Sequence, residues 1–285
     1  MKTIVITGAT SGIGYAAAKA LSSSGARVIG VGRSEQTCAQ AKQRLLSEVP
    51  EAAVDYVYGD LSSMTEVHGV ADKILALLAP ESRLDVLINN AGGVRSGYTT
   101  TADGYELQFA LNHLAGFLLT QRLWGCLKAA KGRVLFTGSN SHKHARMHWG
   151  DVMYAKHYST LMAYKQSKLC NMLFASEINR RFADSGVTAY VVDPGLVNTN
   201  IGNKQTSGIV NAFWSLRKKY GDAPDYVAQT YAYLSNQNPK PLQLYYHACK
   251  PAVYDKRADS ETDARRLFEL SEQLCGIKFD GGERK

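Results

Sequence analysis

Short continuous runs of apolar residues alternate with longer amphipathic stretches along nearly the whole chain. Runs at 3–7, 27–32, 54–59, 84–89, 133–137 and 187–193 predict strands, with a weaker one at 242–247. They are apolar at consecutive positions rather than at every second one, the pattern of strands buried on both faces of a parallel sheet. Stretches at 13–23, 35–48, 64–78, 104–128 and 159–183 predict the intervening helices. Such alternation implies right-handed crossovers and an α/β fold, a doubly wound parallel sheet of the Rossmann type. No repeat, low-complexity tract or proline-rich linker divides the sequence, so residues 1–285 read as one domain.

The regularity lapses after Pro194-Gly195. From about 197 the chain mixes polar and aromatic groups, with Ile209, Val210, Phe213, Trp214 and Leu216 at roughly helical spacing. The stretch is too long for a plain connection and is expected to form a lid and substrate-binding segment over about 197–240. A last helix is expected over 261–275, burying Leu267, Phe268, Leu270 and Leu274.

Composition narrows the class. An apolar fraction of 45% supports a full core. The net charge of +8 and a pI near 9.1 favour anionic ligands, but no run of five or six basic residues points to nucleic acid. The five cysteines are dispersed and form no Cys-x-x-Cys, which argues against a disulfide framework or structural zinc and fits a reducing cytoplasm. Cys126 and Cys170 read as small core residues. The first apolar run is short and flows into a glycine loop, so it reads as a strand rather than a secretory signal. No stretch has the eighteen apolar residues of a membrane span, so a soluble, cytoplasmic protein is expected. The apolar stripe at 209–216, followed by Arg217-Lys218-Lys219, is a candidate for peripheral membrane contact as well as for a lid.

Candidate chemistry gathers at the strand ends, where open α/β sheets bind ligands. The first strand runs into Thr7-Gly8-Ala9-Thr10-Ser11-Gly12-Ile13-Gly14, a Gly-x-x-x-Gly-x-Gly loop before a helix. Such a loop lets the backbone approach a pyrophosphate and offers it the helix's free N–H groups. About twenty residues on, where an NAD enzyme carries an acid, stand Arg33 and Ser34. An arginine there clamps a 2′-phosphate, which indicates NADP(H). Tyr-x-x-x-Lys occurs three times, at Tyr15/Lys19, Tyr164/Lys168 and Tyr246/Lys250. The spacing puts both side chains on one helix face. A phenol of pKa about 10 needs a neighbouring cation to act as an acid–base group near neutrality. Position selects Tyr164, which opens a long helix after the strand ending in Thr137-Gly138-Ser139; the serine hydroxyl there can hold a carbonyl oxygen.

Together these motifs resemble the short-chain dehydrogenase/reductase family over nearly the whole chain. The resemblance implies a cofactor loop at Thr7, Gly8, Ser11, Gly12, Ile13 and Gly14. It implies an adenine contact at Asp60-Leu61, and a cofactor-lining segment at Asn89-Asn90-Ala91-Gly92. It further implies a catalytic set of Asn112, Ser139, Tyr164 and Lys168, with Asn112 holding a proton-relay water and Lys168 the nicotinamide ribose. Pro194-Gly195, Val197 and Thr199 look like the contact to the carboxamide end. Ser139 and Tyr164 lie about 25 positions apart, roughly twice the family's usual interval. That insert, Leu173-Phe174, Lys250-Pro251-Ala252 and Leu267-Phe268-Glu269-Leu270-Ser271 look similar to the retinol dehydrogenase and protochlorophyllide reductase branch. Gly138 departs from it, since the branch commonly has a second serine there. The implied activity is NADP(H)-dependent interconversion of a carbonyl and an alcohol on a small hydrophobic substrate.

Three rival readings are weaker. A catalytically silent NADP(H)-sensing scaffold has no need of the intact tetrad. An epimerase or dehydratase of the extended subgroup fits neither the glycine spacing nor the short C-terminal part. His142, His144, His148 and His157 match no standard zinc spacing, so no metal is expected. They are expected in a polar, partly exposed insert, one or two of them near the substrate mouth.

Overall fold

The computed structural model describes residues 1–195 and 223–279. Its elements follow in the order β1 (Thr3–Thr7), α1 (Gly12–Ser23), β2 (Arg27–Gly32), α2 (Glu35–Glu48), β3 (Val54–Tyr58), α3 (Met64–Leu78) and β4 (Val86–Asn89). A broken helical stretch comes next: α4 (Leu107–Phe109), a wide π-turn (Ala110–Leu114), α5 (Ala115–Arg122) and α6 (Trp124–Ala130). Then come β5 (Arg133–Thr137), α7 (Thr160–Arg181), β6 (Thr188–Asp193), α8 (Pro224–Asn236), β7 (Tyr245–His247), β8 (Lys250–Pro251) and α9 (Glu261–Cys275).

The strands form a single sheet in the order β3-β2-β1-β4-β5-β6-β7-β8. All pairings are parallel except that of β8 on β7. The order reverses between β1 and β4, so a crevice opens at the carboxyl ends of those two strands. Apolar side chains leave each strand on alternate faces. Val5, Ile29, Leu87, Val134 and Val191 pack with α3, α5, α7 and α9, while Ile4, Val28, Ile88, Leu135 and Val192 pack with α1, α2 and α8. Both faces being covered explains the unbroken apolar runs.

Two expectations change. The stretch expected as one helix over 104–128 is broken by the π-turn and again at Leu123, whose φ of −95° and ψ of 5° leave the helical region. The expected lid does not extend to 240. Residues from Pro224 form α8, whose Val227, Ala228, Tyr231 and Leu234 are buried against the α1 side of the sheet. Proline at its first position favours that start. The remaining lid and membrane-contact residues, including Ile209, Phe213, Trp214 and Lys218, lie outside the described residues, as do Val197 and Thr199. The seventh strand starts only at Tyr245, and Leu242 is exposed. Helix α9 lies where expected, capped by Ser260, which accepts from Asp263 N–H, and by Gly276 at φ 65°. Leu267 and Phe268 are buried in it, and Leu270 and Leu274 only half-buried.

Candidate active site

A cleft of about 690 Å³ runs along the carboxyl ends of β1, β2, β4 and β5. Gly8, Ser11, Gly12 and Ile13 form its floor where β1 gives way to α1. Gly8 and Gly12 have φ of 68° and 55°, a left-handed region that glycine enters without steric cost. Gly14 acts differently. A Cβ on it would lie 2.2 Å from the Gly8 carbonyl oxygen, so this glycine lets helix and loop close on one another. Ser11 caps α1 with an extended backbone but without a side-chain bond to the helix. With no acid in the first turn, α1 directs its unpaired N–H groups and positive end at the cleft.

Thr7 lies behind this surface and ties β1 to the segment after β4. Its hydroxyl accepts from Asn90 and Ala91 N–H at 2.9 Å each, and Asn90 Nδ2 donates to Thr7 O at 2.9 Å. Asn90, Ala91 and Gly92 reach the cleft. A Cβ at Gly92 would lie 2.7 Å from Asn112 Oδ1, so that approach also requires glycine.

At one end of the cleft stand Arg33, Ser34, Asp60 and Leu61, with Thr37 and Arg95 beside them. Ser34 caps α2, accepting from Thr37 N–H at 3.3 Å and bonding the Thr37 hydroxyl at 2.9 Å. Asp60 Oδ1 accepts from Ser62 N–H and Oγ–H at 2.9 and 2.8 Å. Arg95 is a functional candidate that sequence reading missed. Burial and then the nearby Arg33 charge lower its pKa, with Asp60 opposing. Two cations, one just after β2 and one in the loop after β4, therefore face one region. Arg95 follows the recognised Asn90-to-Gly92 segment, but no local spacing tells that the loop returns toward Arg33.

Tyr164 and Lys168 line the opposite end, with Thr137, Gly138, Pro194 and Leu111. Tyr164 is 9% exposed and Lys168 4%. Lys168 Nζ donates to Thr137 O at 2.9 Å and lies 5.6 Å from the Tyr164 ring centre. Burial pushes its pKa down to about 8. Ser139 Oγ accepts from Ser141 N–H at 3.2 Å and Ser141 Oγ–H at 2.8 Å, which leaves its own proton to donate. Asn112 sits in the π-turn, where its side chain exchanges bonds with Gly93: Nδ2 to Gly93 O at 3.0 Å, and Gly93 N to Oδ1 at 2.8 Å. Nδ2 also meets Ser167 Oγ at 3.0 Å. Both Nδ2 protons are thus engaged, one by the loop and one by α7, in a turn whose wide geometry is a common functional device. Asn112, Ser139 and Gly195 are not among the described residues lining the cleft.

The rival Tyr/Lys pairs lie elsewhere. Tyr15 donates to Glu48 Oε1 at 3.2 Å under the Arg44 guanidinium. Tyr246 is buried between Tyr190 and Tyr233.

The insert between Ser139 and Tyr164 is more ordered than its polar sequence suggests. Ala145, Met147, Trp149, Val152 and Met153 pack against the core. Gln166 of α7 clasps it, accepting from His148 N at 2.7 Å and donating to Val152 O at 2.8 Å. His144, His148 and His157 are exposed and His142 is fully buried. No group of three His, Cys, Asp or Glu side chains among the described residues could hold a metal.

A Rossmann sheet whose switch-point cleft joins a phosphate cradle to a buried Tyr–Lys pair defines a nicotinamide-dependent oxidoreductase acting between alcohol and carbonyl. The chain belongs to the short chain dehydrogenase family, whose model it matches over residues 2–209, and to its retinol dehydrogenase branch. It is 36% identical over 298 aligned residues to retinol dehydrogenase 14 of Mus musculus, covering 97% of this chain and 86% of that protein. Its structure is similar to that of an uncharacterized protein from Mycobacterium paratuberculosis, with a TM-score of 0.72, 30% identity and coverage of 98% and 95%. A short-chain dehydrogenase from Sphingobium yanoikuyae, solved in complex with NADPH, has the same fold at a TM-score of 0.67 and 22% identity, covering 100% of this chain and 99% of that one. Among the described residues no helix is long and apolar enough to cross a membrane.

Proposed function

We propose that the protein interconverts a carbonyl and an alcohol on a hydrophobic substrate with NADP(H), using Tyr164 as the acid–base group. The observation that carries this reading is that one cleft joins Arg33 and the glycine loop to Tyr164 and Lys168. Arg33, Ser34 and Thr37 suit a 2′-phosphate, with one guanidinium and two hydroxyls at the start of α2. The bound cofactor supplies or takes the hydride at the reacting carbon. In the reductive direction Tyr164 gives its phenolic proton to the carbonyl oxygen, while Ser139 holds that oxygen with its remaining O–H. The Lys168 ammonium stabilises the phenolate left behind, and a proton from solvent restores the phenol.

A hydrophobic substrate is supported by the retinol dehydrogenase relatives and by the apolar residues near 209–216. Retinoids, lipid aldehydes, steroids and apolar xenobiotics are the classes to try. The same reading makes the protein cytoplasmic, with peripheral membrane contact near 209–219 and no nucleic-acid partner. The test is turnover of NADPH against all-trans-retinal, decanal and cinnamaldehyde. Tyr164→Phe should lower turnover ~10²–10⁴-fold with NADPH affinity nearly unchanged. Retained turnover would remove Tyr164 from its role. Tight NADPH binding with no turnover by the wild type would favour a silent NADP(H) sensor.

A further inference from the structure

The buried histidine of the insert is idle in this mechanism, yet it touches the residue that carries Ser139. His142 has no exposed surface. Its Nδ1 lies 2.7 Å from Ser139 O, and its Nε2 receives Asp255 N–H at 3.3 Å. The Asp255 N–H can only donate, so Nε2 carries the lone pair and the proton is on Nδ1. The Ser139 carbonyl can only accept, so Nδ1–H donates to it. Both contacts demand the same tautomer of a neutral ring. Burial lowers the His142 pKa against the opposing Ser139 bond, which keeps that ring neutral. The ring also meets Tyr245 edge-on, with centres 5.1 Å apart.

We propose that His142 is a positioning residue for the reaction, fixing the backbone of Ser139 to the segment after β8 through an Nδ1–H bond. The inference rests on the catalytic role of Ser139 given above. Ser139 is otherwise held on the sheet side, where Gly138 N–H donates to Val192 O at 2.7 Å. On the far side its carbonyl receives both the His142 N–H, at 3.1 Å, and Nδ1–H. The anchor beyond the ring is itself tied down. Asp255 Oδ1 accepts from Arg257 N at 3.0 Å, and Oδ2 accepts from His144 N at 2.9 Å and Arg257 Nη1 at 2.7 Å. Rotation of the serine peptide would swing its hydroxyl away from the substrate oxygen, so the histidine acts on the chemical step and not on cofactor affinity.

The test compares His142→Phe, which keeps an aromatic ring beside Tyr245 but no donor, with His142→Asn, whose Nδ2 sits near the place of Nδ1. The probe is whichever of retinal, decanal and cinnamaldehyde the wild type reduces fastest. His142→Phe should lower kcat ~10–100-fold with NADPH Kd within about twofold, and His142→Asn should recover most of the loss. In a Ser139→Ala background His142→Phe should cost little further, because the two act as one unit. A wild-type kcat in His142→Phe, no rescue by Asn, or an undiminished effect in the Ser139→Ala background would overturn the inference. Should His142→Phe lose NADPH binding, the comparison passes to His142→Gln, whose carbonyl reaches the Asp255 N–H but which puts no donor near Nδ1. Asn should then be faster than Gln, and equal rates would overturn the inference. Full activity of Ser139→Ala would sink the catalytic reading itself. Long-range ¹H–¹⁵N spectra of the wild type give a readout independent of activity, with the His142 signals assigned by their loss in His142→Asn. The Nδ1–H form is expected at neutral pH, and the Nε2–H form would refute the bond.

Discussion

The phosphate end of the cleft draws Gly8, Ser11, Gly12 and Ile13 from one loop, whereas the proposed catalytic set draws Asn112, Ser139 and Tyr164 from a π-turn, a strand end and a helix, and of these three only Tyr164 lines the cleft. At the first, backbone conformation does the work: positive φ at two glycines and a helix start that aims N–H groups outward. At the second, side-chain bonds between distant elements do it: Lys168 to Thr137, Asn112 to Gly93 and Ser167, His142 to Asp255. The phosphate end should therefore break when a backbone contact is obstructed. The catalytic end should lose rate before it loses fold.

Obstruction is tested at Gly14. An added methyl would lie 2.2 Å from Gly8 O and 2.6 Å from Asn90 Nδ2. Backbone at that distance cannot yield locally, so Gly14→Ala should cost roughly 2–3 kcal/mol and weaken NADPH more than tenfold. Gly125→Ala, which meets nothing within 4 Å, is the control and should leave Tm unchanged or slightly raised. Equal melting temperatures for the two variants would show that the loop relaxes and that the contrast between the two ends is false.

Arg33 tests the phosphate end more gently. Arg33→Ala should weaken NADPH ~10–100-fold, the range expected for losing charged hydrogen bonds to a phosphate, and leave NADH within about twofold. Equal losses for both cofactors, in a fluorescence titration, would take the 2′-phosphate away from Arg33. Little effect on either would turn attention to Arg95, which lines the same end of the cleft.

The same contrast decides what could be read from sequence. The strands at Thr3–Thr7, Arg27–Gly32 and Arg133–Thr137 and the helices at Glu35–Glu48 and Glu261–Cys275 have the bounds their patterns predict, because burial on two faces and local caps leave a local signature. The glycine loop and Arg33 are legible for the same reason. The π-turn is not, since Ala110-Leu111-Asn112-His113-Leu114 reads as ordinary amphipathic helix and widens only in the packed fold. Nor is Arg95, which needs the β4 loop folded back. His142 misleads most: four histidines in a polar stretch suggest exposure, and only the contacts to Ser139, Asp255 and Tyr245 set one of them in the interior. The aromatic residues before helix α8 conceal it, because they make the whole stretch read as a cover for the site.

The smallest effect separates the stability of the catalytic end from its chemistry. Lys168 is buried, and its folded pKa of about 8 lies below the 10.5 of an unperturbed lysine. Below pH 8 both folded and unfolded chains carry the proton, and the fold bears the full cost of a buried ammonium. Between 8 and 10.5 the unfolded chain binds more protons than the folded one, so this residue's contribution makes stability rise with pH. Lys168→Met removes the charge at similar length. It should be more stable than the wild type at pH 7 by on the order of 2 kcal/mol, less whatever is lost at the Thr137 carbonyl, while losing most turnover. The difference should shrink as pH passes from 8 to 10.5, and comparing the two proteins cancels the titration of every other group. Urea titrations at pH 7 and pH 10 measure it. A wild type more stable than the variant at pH 7 would mean that the Thr137 bond outweighs desolvation, and that the catalytic end is held together by the same lysine that serves its chemistry.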